Sequence, residues 1–372
     1  PPLRCAPRPR RRGARGLGVG AAAAGHARMA VLAPRVKRSV LENTCVDTQK
    51  RTWTFGSDVL EADLDDSVAG GAARPDIIFL HTATGLGINR TFWRPMFREL
   101  LRSPHLRRHR CHAFDWICTG DARPKPDMVS KPFTPEDYAN QLCAYIESIY
   151  KETRRTVILV VQGSAETIAL TYVDKYKQKR LAAVVFVNGL SPKYLEKKPS
   201  RIRSSLLFRA LLGAPGDLLY KRCNSRSYIE SFSLKNILIG RKVLEEYVSL
   251  ALAGAADRRV RFGVYSFFAG YFFGDYRMQL AKIRVPTAFF CGDQTPSPSL
   301  AERIKSVRLP LNLFSKESTM REVREPRILF HRKYLPETAL IKTIHGAGPE
   351  IPFESPDLLV PALSDFLETL QA

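Results

Sequence analysis

Short apolar runs alternate along this chain with longer stretches whose apolar residues recur at helical spacing. Runs typical of strands buried on both faces of a sheet occur at 77–80, 111–116, 156–161, 182–187, 285–291 and 339–344. Two shorter strands are predicted at 51–55 and 59–62, and helices at 90–101, 134–149, 167–175 and 357–370. Strands that alternate with helices predict an α/β fold with a mostly parallel, right-handedly wound sheet of eight strands, flanked by helices.

The helix that follows Thr134 has the clearest start signal. Thr134 stands at the cap position, Pro135 at the first helical position, and Glu136 and Asp137 in the first turn. Free amides and the helix dipole favour each of these choices. Apolar residues then recur at helical spacing, as expected of a helix that lies across a sheet.

The alternation of strands and helices stops after residue 189 and resumes near residue 283. Residues 190–282 contain Leu-, Phe- and Tyr-rich helical stretches, which predict a helical cap inserted between two parts of the core, 50–189 and 283–372. Within the second part, residues 309–336 are basic and longer than a compact connection. We expect this connection to be an ordered insertion.

Length and composition are typical of one large globular core. The chain has 372 residues, 45% of them hydrophobic, and no apolar run reaches the roughly 20 residues that cross a bilayer. We therefore expect no transmembrane segment. The seven cysteines contain no C-x-x-C pair, which favours buried thiols in a reducing compartment. We predict no metal and no cofactor, and the sequence leaves the oligomeric state open.

The net charge of +22 is unevenly distributed. Residues 1–40 carry ten Arg or Lys and no acid, so the remainder of the chain carries +12. This Arg-, Ala-, Gly- and Pro-rich segment is predicted to be a disordered basic leader. It is typical of an organelle transit peptide, although a disordered basic tail or untranslated sequence ahead of Met29 would read the same way. Because its arginines are not interleaved with aromatic residues, we do not expect it to bind nucleic acid.

The strand–turn–helix segment TVILVVQGSAETIA at 156–169 is the first of several motifs that together resemble a known family. The others are IIFLHT, FDWICTGDARPKP, VPTAFFCGDQTP and HGAGPEIPFESPDLLVPALSDFL. In this order they resemble α/β-hydrolases of the epoxide-hydrolase and haloalkane-dehalogenase type, over roughly residues 75–370. The sequence of residues 159–163 is also similar to that of a plastid group of the superfamily. That resemblance implies a plastid more than a mitochondrion, with the cytoplasm as the alternative.

The resemblance implies a Ser-His-acid triad, and each of its three positions reads as a different residue here. The nucleophile elbow, normally G-x-S-x-G, places Gly163 where the serine should be. The acid position falls on Thr295 and the histidine position on Pro349. The resemblance therefore predicts a degenerate triad.

An alternative hypothesis is a shifted triad of Ser164, Asp293 and His345. Ser164 lies one residue along the elbow, which rotates its side chain by about 100° on entering the helix. The alternative interpretations are a helix-capping role for Ser164, a turn-forming role for Asp293 and a backbone partner for His345. The sequence keeps both readings open.

The neighbouring loops offer an oxyanion site and a pocket. The segment after the 77–80 strand supplies an oxyanion amide in the family, which points to Thr82 together with Ser164. We expect His81 to be structural, and Asp115 and Trp116 to make strand-end contacts and not to hold a halide. The aromatic segments 265–268 and 271–273 either line a pocket between cap and sheet or pack as core.

Three functions are compatible with these observations. The first is a protein with a degenerate triad that binds a small apolar ligand or a partner between cap and core. The second is an active hydrolase of an ester or epoxide that uses Ser164 and His345. The third is a basic structural subunit associated with RNA or an assembly, motivated by the charge outside the leader and by the basic connection.

Overall fold

Eight strands of the described chain form a single sheet. This computed structural model describes residues 49–56, 58–65, 74–83, 87–122, 124, 131–294 and 320–370. The strand order is β1-β2-β4-β3-β5-β6-β7-β8. The strands are β1 (Gln49–Phe55), β2 (Asp58–Asp65), β3 (Asp76–Leu80), β4 (Cys111–Phe114), β5 (Val157–Gln162), β6 (Leu181–Val187), β7 (Thr287–Gly292) and β8 (Leu340–Ile344).

The pairing within this sheet confirms the predicted α/β class. β2 runs antiparallel to both of its neighbours, and every other pairing is parallel. Each predicted strand overlaps an observed one, and the ends differ by at most three residues.

The central strands are apolar on both faces because both faces are covered. In β3, Ile78 and Leu80 pack into one buried cluster while Ile77 and Phe79 pack into the other. Successive side chains of a strand point to opposite faces, so a continuous apolar run is the pattern that two covered faces require. The sheet is therefore the middle layer of three.

The helices flank this sheet and also occupy the chain between β6 and β7. Among the residues that the structure describes, short 3₁₀ turns lie at Arg90–Trp93, Leu106–Arg108 and Arg258–Val260. The α-helices of the described residues are α1 (Arg94–Arg102), α2 (Pro135–Thr153), α3 (Ala165–Lys175), α4 (Pro192–Leu195), α5 (Arg201–Leu212), α6 (Ala214–Cys223), α7 (Arg226–Asn236), α8 (Leu244–Gly254), α9 (Arg261–Phe268), α10 (Arg277–Ala281), α11 (Met320–Tyr334), α12 (Ile351–Glu354) and α13 (Pro356–Thr369).

The start of α2 has the predicted capping arrangement. The amide of Thr134 donates to the carboxylate of Asp137 at 2.8 Å, and Pro135 takes the first helical position. This reciprocal arrangement satisfies amides that the helix itself cannot bond. The local sequence therefore determines where α2 begins.

Helix α8 approaches the loop after β3 so closely that two glycines are required. A Cβ on Gly254 would lie 1.9 Å from the carbonyl oxygen of Gly87, and one on Gly87 would lie 1.8 Å from that of Ala251. No side chain can occupy either place without moving backbone. This contact joins the helices between β6 and β7 to the edge of the sheet where β3 and β5 end.

Some predictions concern regions that the structure describes only partly. The connection predicted as an ordered insertion contains α11, whereas its first part, 309–319, lies outside the described residues. The predicted leader, 1–40, also lies outside them, and the division into leader, core and cap stays a prediction. In the described part of the chain, no helix combines the length and the hydropathy needed to cross a membrane.

Candidate active site at the elbow after β5

The turn between β5 and α3 is the feature around which the candidate site is built. β5 ends at Gln162, α3 begins at Ala165, and Gly163 between them has a φ of +58°. Glycine adopts this left-handed conformation with little strain, whereas other residues adopt it at a cost. The structure thus places Gly163 at the tip of the turn, where the sequence motif located it.

Ser164 is the first hydroxyl after that tip, and it points into the protein. It has helical backbone angles, φ −67° and ψ −14°, and is 3% exposed. Its hydroxyl is 2.5 Å from the hydroxyl of Thr82. No side-chain capping bond to α3 is formed, so the capping interpretation of Ser164 is wrong. The Ser164 hydroxyl instead contacts the Thr82 hydroxyl, which lies within hydrogen-bonding distance where the two strands end.

Thr82 also contacts the backbone amide of the residue that follows Gly163. In α/β-hydrolases the amide of the residue after the nucleophile forms part of the oxyanion hole. Under the predicted assignment of Gly163 to the nucleophile position, that amide is the one of Ser164, and it donates to the Thr82 hydroxyl at 3.3 Å. The Ser164 amide therefore has a hydrogen-bond partner within the protein.

Asp293 and His345 form a second pair, at the ends of β7 and β8. The imidazole Nδ1 of His345 is 2.9 Å from the Asp293 carboxylate, which also accepts a hydrogen bond from the Gly346 amide at 2.8 Å. Burial opposes ionisation of Asp293, but these two hydrogen bonds hold its pKa below the usual value. His345 thus has a side-chain partner, and its predicted backbone partner is wrong.

The two pairs occupy different environments. The side chain of His345 is 85% exposed, whereas Ser164 is buried against Thr82. No hydrogen bond given for the described residues connects the imidazole of His345 with the Ser164 hydroxyl. The structure therefore brings together Thr82 with Ser164 and Asp293 with His345, but not the shifted triad as a whole.

The positions that the family motif assigns to the acid and the histidine are Thr295 and Pro349. Thr295 lies outside the described residues. Pro349 is partly buried, and its carbonyl accepts a hydrogen bond from the Asn188 side chain at 2.7 Å. Asn188 also accepts from the Gly292 amide at 3.1 Å. It therefore fixes the loops after β7 and β8 to the end of β6.

His81, Asp115 and Trp116 have structural partners, as predicted. The His81 ring is buried beside the Thr82 carbonyl at 3.0 Å, and burial lowers its pKa to about 4. Asp115 forms an ion pair with Arg90 and accepts from its amide at 2.8 Å. The Trp116 indole donates to the His81 carbonyl at 2.8 Å. These contacts confirm the strand-end interpretation of Asp115 and Trp116.

A buried carboxyl lies beside the elbow that sequence reasoning missed. The Gln162 amide donates to Glu350 at 2.8 Å, and both side chains are buried. Burial, followed by the nearby charge of Glu354, raises the pKa of Glu350 to about 8. The available signal was its place one residue after Pro349, the position assigned to the histidine.

A second missed pair joins the helix of the elbow to α11. The His331 ring contacts Glu166 at 2.6 Å, and neither side chain is exposed. Glu166 also accepts from the Leu190 amide at 2.6 Å, and Phe289 stacks on the His331 ring. The two residues are 165 positions apart, so no local signal could have paired them.

The aromatic segments after α8 pack mainly among themselves and against the core. Phe272 is fully buried 5.4 Å from the Tyr138 ring, and Phe273 stacks on Tyr194 at 4.5 Å. Phe267 and Tyr271 are only partly buried against the same cluster. The packing interpretation accounts for the buried rings, and the partly buried rings also contact neighbouring aromatic side chains.

Within the described residues, no three His, Cys, Asp or Glu side chains are grouped closely enough to hold a metal ion. The prediction of no metal stays a prediction.

Comparison with known families identifies the scaffold. The sequence model described as the alpha/beta hydrolase family matches residues 77–362, which is most of the chain. The chain belongs to the α/β-hydrolase family. Comparison by sequence with curated proteins gave no match.

Solved structures resemble this α/β-hydrolase over nearly their whole length. A thermophilic esterase from Thermogutta terrifontis is 16% identical with a TM-score of 0.58, covering 87% of this chain and 99% of its own. A bromoperoxidase from Bacillus anthracis is 13% identical with a TM-score of 0.57, covering 86% and 100%. At this identity the likeness shows the fold alone. The narrower resemblance to epoxide hydrolases and to a plastid group stays a prediction.

Proposed function

We propose that this α/β-hydrolase is a non-hydrolytic member of its family, one that binds a small apolar ligand and does not cleave it. The observation that carries the proposal is the elbow, where Gly163 has a left-handed conformation and no side chain to attack a substrate. The oxyanion amide of Ser164, hydrogen-bonded to Thr82, supports it.

The ligand class is inferred from aromatic side chains between β6 and β7 and from the buried His81 ring. Partly buried aromatic side chains, such as Phe267 and Tyr271, offer apolar surface among the helices between β6 and β7. The buried His81 ring, with its pKa lowered to about 4, is neutral at physiological pH. An uncharged apolar molecule suits such surroundings better than an ion does.

Reaction with a fluorophosphonate probe tests the proposal directly, because this probe labels activated serine nucleophiles. We expect no labelling of the wild-type chain and no turnover of p-nitrophenyl esters above the buffer rate. Apolar compounds that raise the melting temperature should be recovered unchanged after incubation with the protein. Labelling that disappears in Ser164→Ala would contradict the proposal.

A second candidate, an active ester or epoxide hydrolase, is favoured by one observation. Asp293 and His345 lie at the ends of β7 and β8 and are hydrogen-bonded to each other at 2.9 Å, as a catalytic acid and histidine are. In this alternative the Ser164 hydroxyl leaves Thr82 and attacks the ester carbonyl while His345 takes its proton. His345 then gives that proton to the leaving alkoxide as the acyl C–O bond breaks, and water later releases the acid from Ser164. Activity would then be lost equally in Ser164→Ala and His345→Ala, whereas Asp293→Asn would lose most of it.

The cellular location is part of the proposal and rests on residues 1–40. Their ten basic residues and lack of acids support import into an organelle, a plastid before a mitochondrion, with the cytoplasm as the alternative. A fluorescent protein fused after residue 48 should accumulate in plastids of a plant or algal cell. Diffuse cytoplasmic fluorescence would contradict this part.

A further inference from the structure

Two neighbouring helices between β6 and β7 present large aliphatic side chains to solvent. On α5, Ile202 is 74% exposed and Leu206, one turn later, is 62% exposed. On α6, Leu218 is 70% exposed. Most large apolar side chains of a soluble protein are covered to a greater extent, so exposure at consecutive turns marks a surface that another body covers.

The exposed residues of α5 do not belong to its core-facing side. Ser204, Phe208 and Leu211 of the same helix are buried, and Phe208 and Leu211 belong to the main apolar cluster. Residues one turn apart share a face, which places Ile202 and Leu206 together on the opposite side. The fold itself therefore does not require them to be apolar.

Positive charge predominates in the part of the chain that carries this aliphatic face. Between Lys193 and Arg222 the chain has eight Lys or Arg and two acids. One of the acids, Asp217, forms an ion pair with Arg258 at 2.8 Å. The three arginines of α5 are all exposed, and within the described residues none forms an ion pair with a carboxylate: Arg201, Arg203 and Arg209.

We propose that α5 and α6 form a surface that binds the face of an anionic lipid bilayer. Helices lying in the plane of a membrane interface insert aliphatic residues among the lipid chains while Lys and Arg contact anionic headgroups. The long stems of arginine allow the charged end to reach the headgroups as the backbone settles lower. Both halves of this chemistry are present on α5.

Other occupants fit the same face less well. A nucleic acid would complement the charge, but bases stack on aromatic rings, and the side chains exposed here are isoleucine and leucine. A second copy of the chain would cover the aliphatic residues while placing the unpaired arginines of two copies against each other. Of these three occupants, only the bilayer satisfies the apolar and the charged groups together.

Vesicle sedimentation with the full chain tests the proposal. Because residues 1–40 also carry ten basic residues, the variants decide the outcome and not the wild type alone. The test variant is Ile202→Asp with Leu206→Asp. The control is Met278→Asp with Leu329→Asp, which changes the same number of charges at residues 64% and 59% exposed on other helices. Thermal melts should show that both variants fold.

The expected result has three parts. The wild type should sediment with vesicles containing phosphatidylglycerol more than with phosphatidylcholine alone, and less as salt rises from about 50 to about 500 mM. The test variant should lower the partition coefficient at least about tenfold. The control should change it by no more than about twofold.

Four results would overturn the proposal. The first is an equal effect of the test and control variants, and the second is equal binding to neutral and anionic vesicles. The third is light scattering that shows a dimer which the test variant dissociates, in which case a second copy is the occupant. RNA binding by the wild type that the test variant weakens, without vesicle binding, would likewise replace the bilayer by a nucleic acid.

Discussion

Replacing the buried carboxyl of Glu350 by an amide should stabilise the protein above acidic pH. The folded-state pKa of Glu350 is about 8, compared with an ordinary value of 4.5. Between these two pH values the Glu350 side chain keeps its proton in the folded chain and releases it in the unfolded chain. A raised acid pKa therefore removes stability as the pH rises from about 4.5 to about 8. Glu350→Gln eliminates this loss.

The magnitude follows from the pKa difference. Each unit corresponds to about 1.4 kcal/mol, so at pH 7 the wild type loses about 3 kcal/mol, and about 5 kcal/mol at pH 8 and above. The amide should also keep the hydrogen bond with Gln162, whose Oε1 has no partner within the described structure. A glutamine at 350 can donate to that oxygen.

Urea denaturation of both proteins at several pH values between 4.5 and 8 measures the effect. The free energy of unfolding of Glu350→Gln, minus that of the wild type, should lie near zero at pH 4.5 and rise with pH. The difference between the proteins is informative, and the wild-type curve alone is not, because His81 titrates with the opposite sign. A difference that stays constant across the range would refute the reasoning.

Three further predictions concern named residues. Gly254→Ala should lower the free energy of unfolding by about 3 kcal/mol, because the new Cβ would lie 1.9 Å from a carbonyl oxygen. As a control, Gly240→Ala should change the free energy of unfolding by less than about 0.5 kcal/mol, because no atom lies within 4 Å of its Cβ. Gly163→Ala should lower the free energy of unfolding by about 1 kcal/mol, because alanine is strained at a φ of +58°, while its Cβ would meet no atom closer than 3.4 Å. A stabilised variant would contradict the left-handed turn. His81 has a lowered pKa, so the free energy of unfolding of the wild type, minus that of His81→Gln, should fall by up to about 3 kcal/mol as pH drops from about 6.5 to about 4 in the same urea series.

The absence of a side chain at the elbow has a functional consequence that labelling can measure. A turn that needs a positive φ accepts glycine most readily, so Gly163 suits the backbone of the elbow. Under the proposed function, this glycine also leaves the tip of the elbow without a nucleophile.

Local sequence was sufficient for the elements and for the position of the elbow. Continuous apolar runs predicted the buried strands, because only a sheet covered on both faces requires them, and the Thr134 cap predicted the start of α2. The strand–turn–helix motif predicted that Gly163 lies at the turn that the structure shows. Element ends were less exact, as at β4, which ends at Phe114 and not at Trp116.

Contacts between distant segments could not be read from the sequence. The Thr82 hydroxyl meets Ser164 from 82 positions away, and Gln162 meets Glu350 from 188 positions away. Hydrogen bonds of this kind depend on where strand ends meet at one edge of the sheet, and single-residue patterns carry no information on that distance.

The sequence by itself determined the class of fold, the order of its strands and helices, and the glycine at the tip of the elbow, because periodicity and turn chemistry act over a few residues. Only the tertiary structure decided that the Ser164 hydroxyl turns toward Thr82, that His345 is exposed beside Asp293, and that Glu350 is buried. Those outcomes depend on which segments of the chain pack against one another, and burial is a property of that packing.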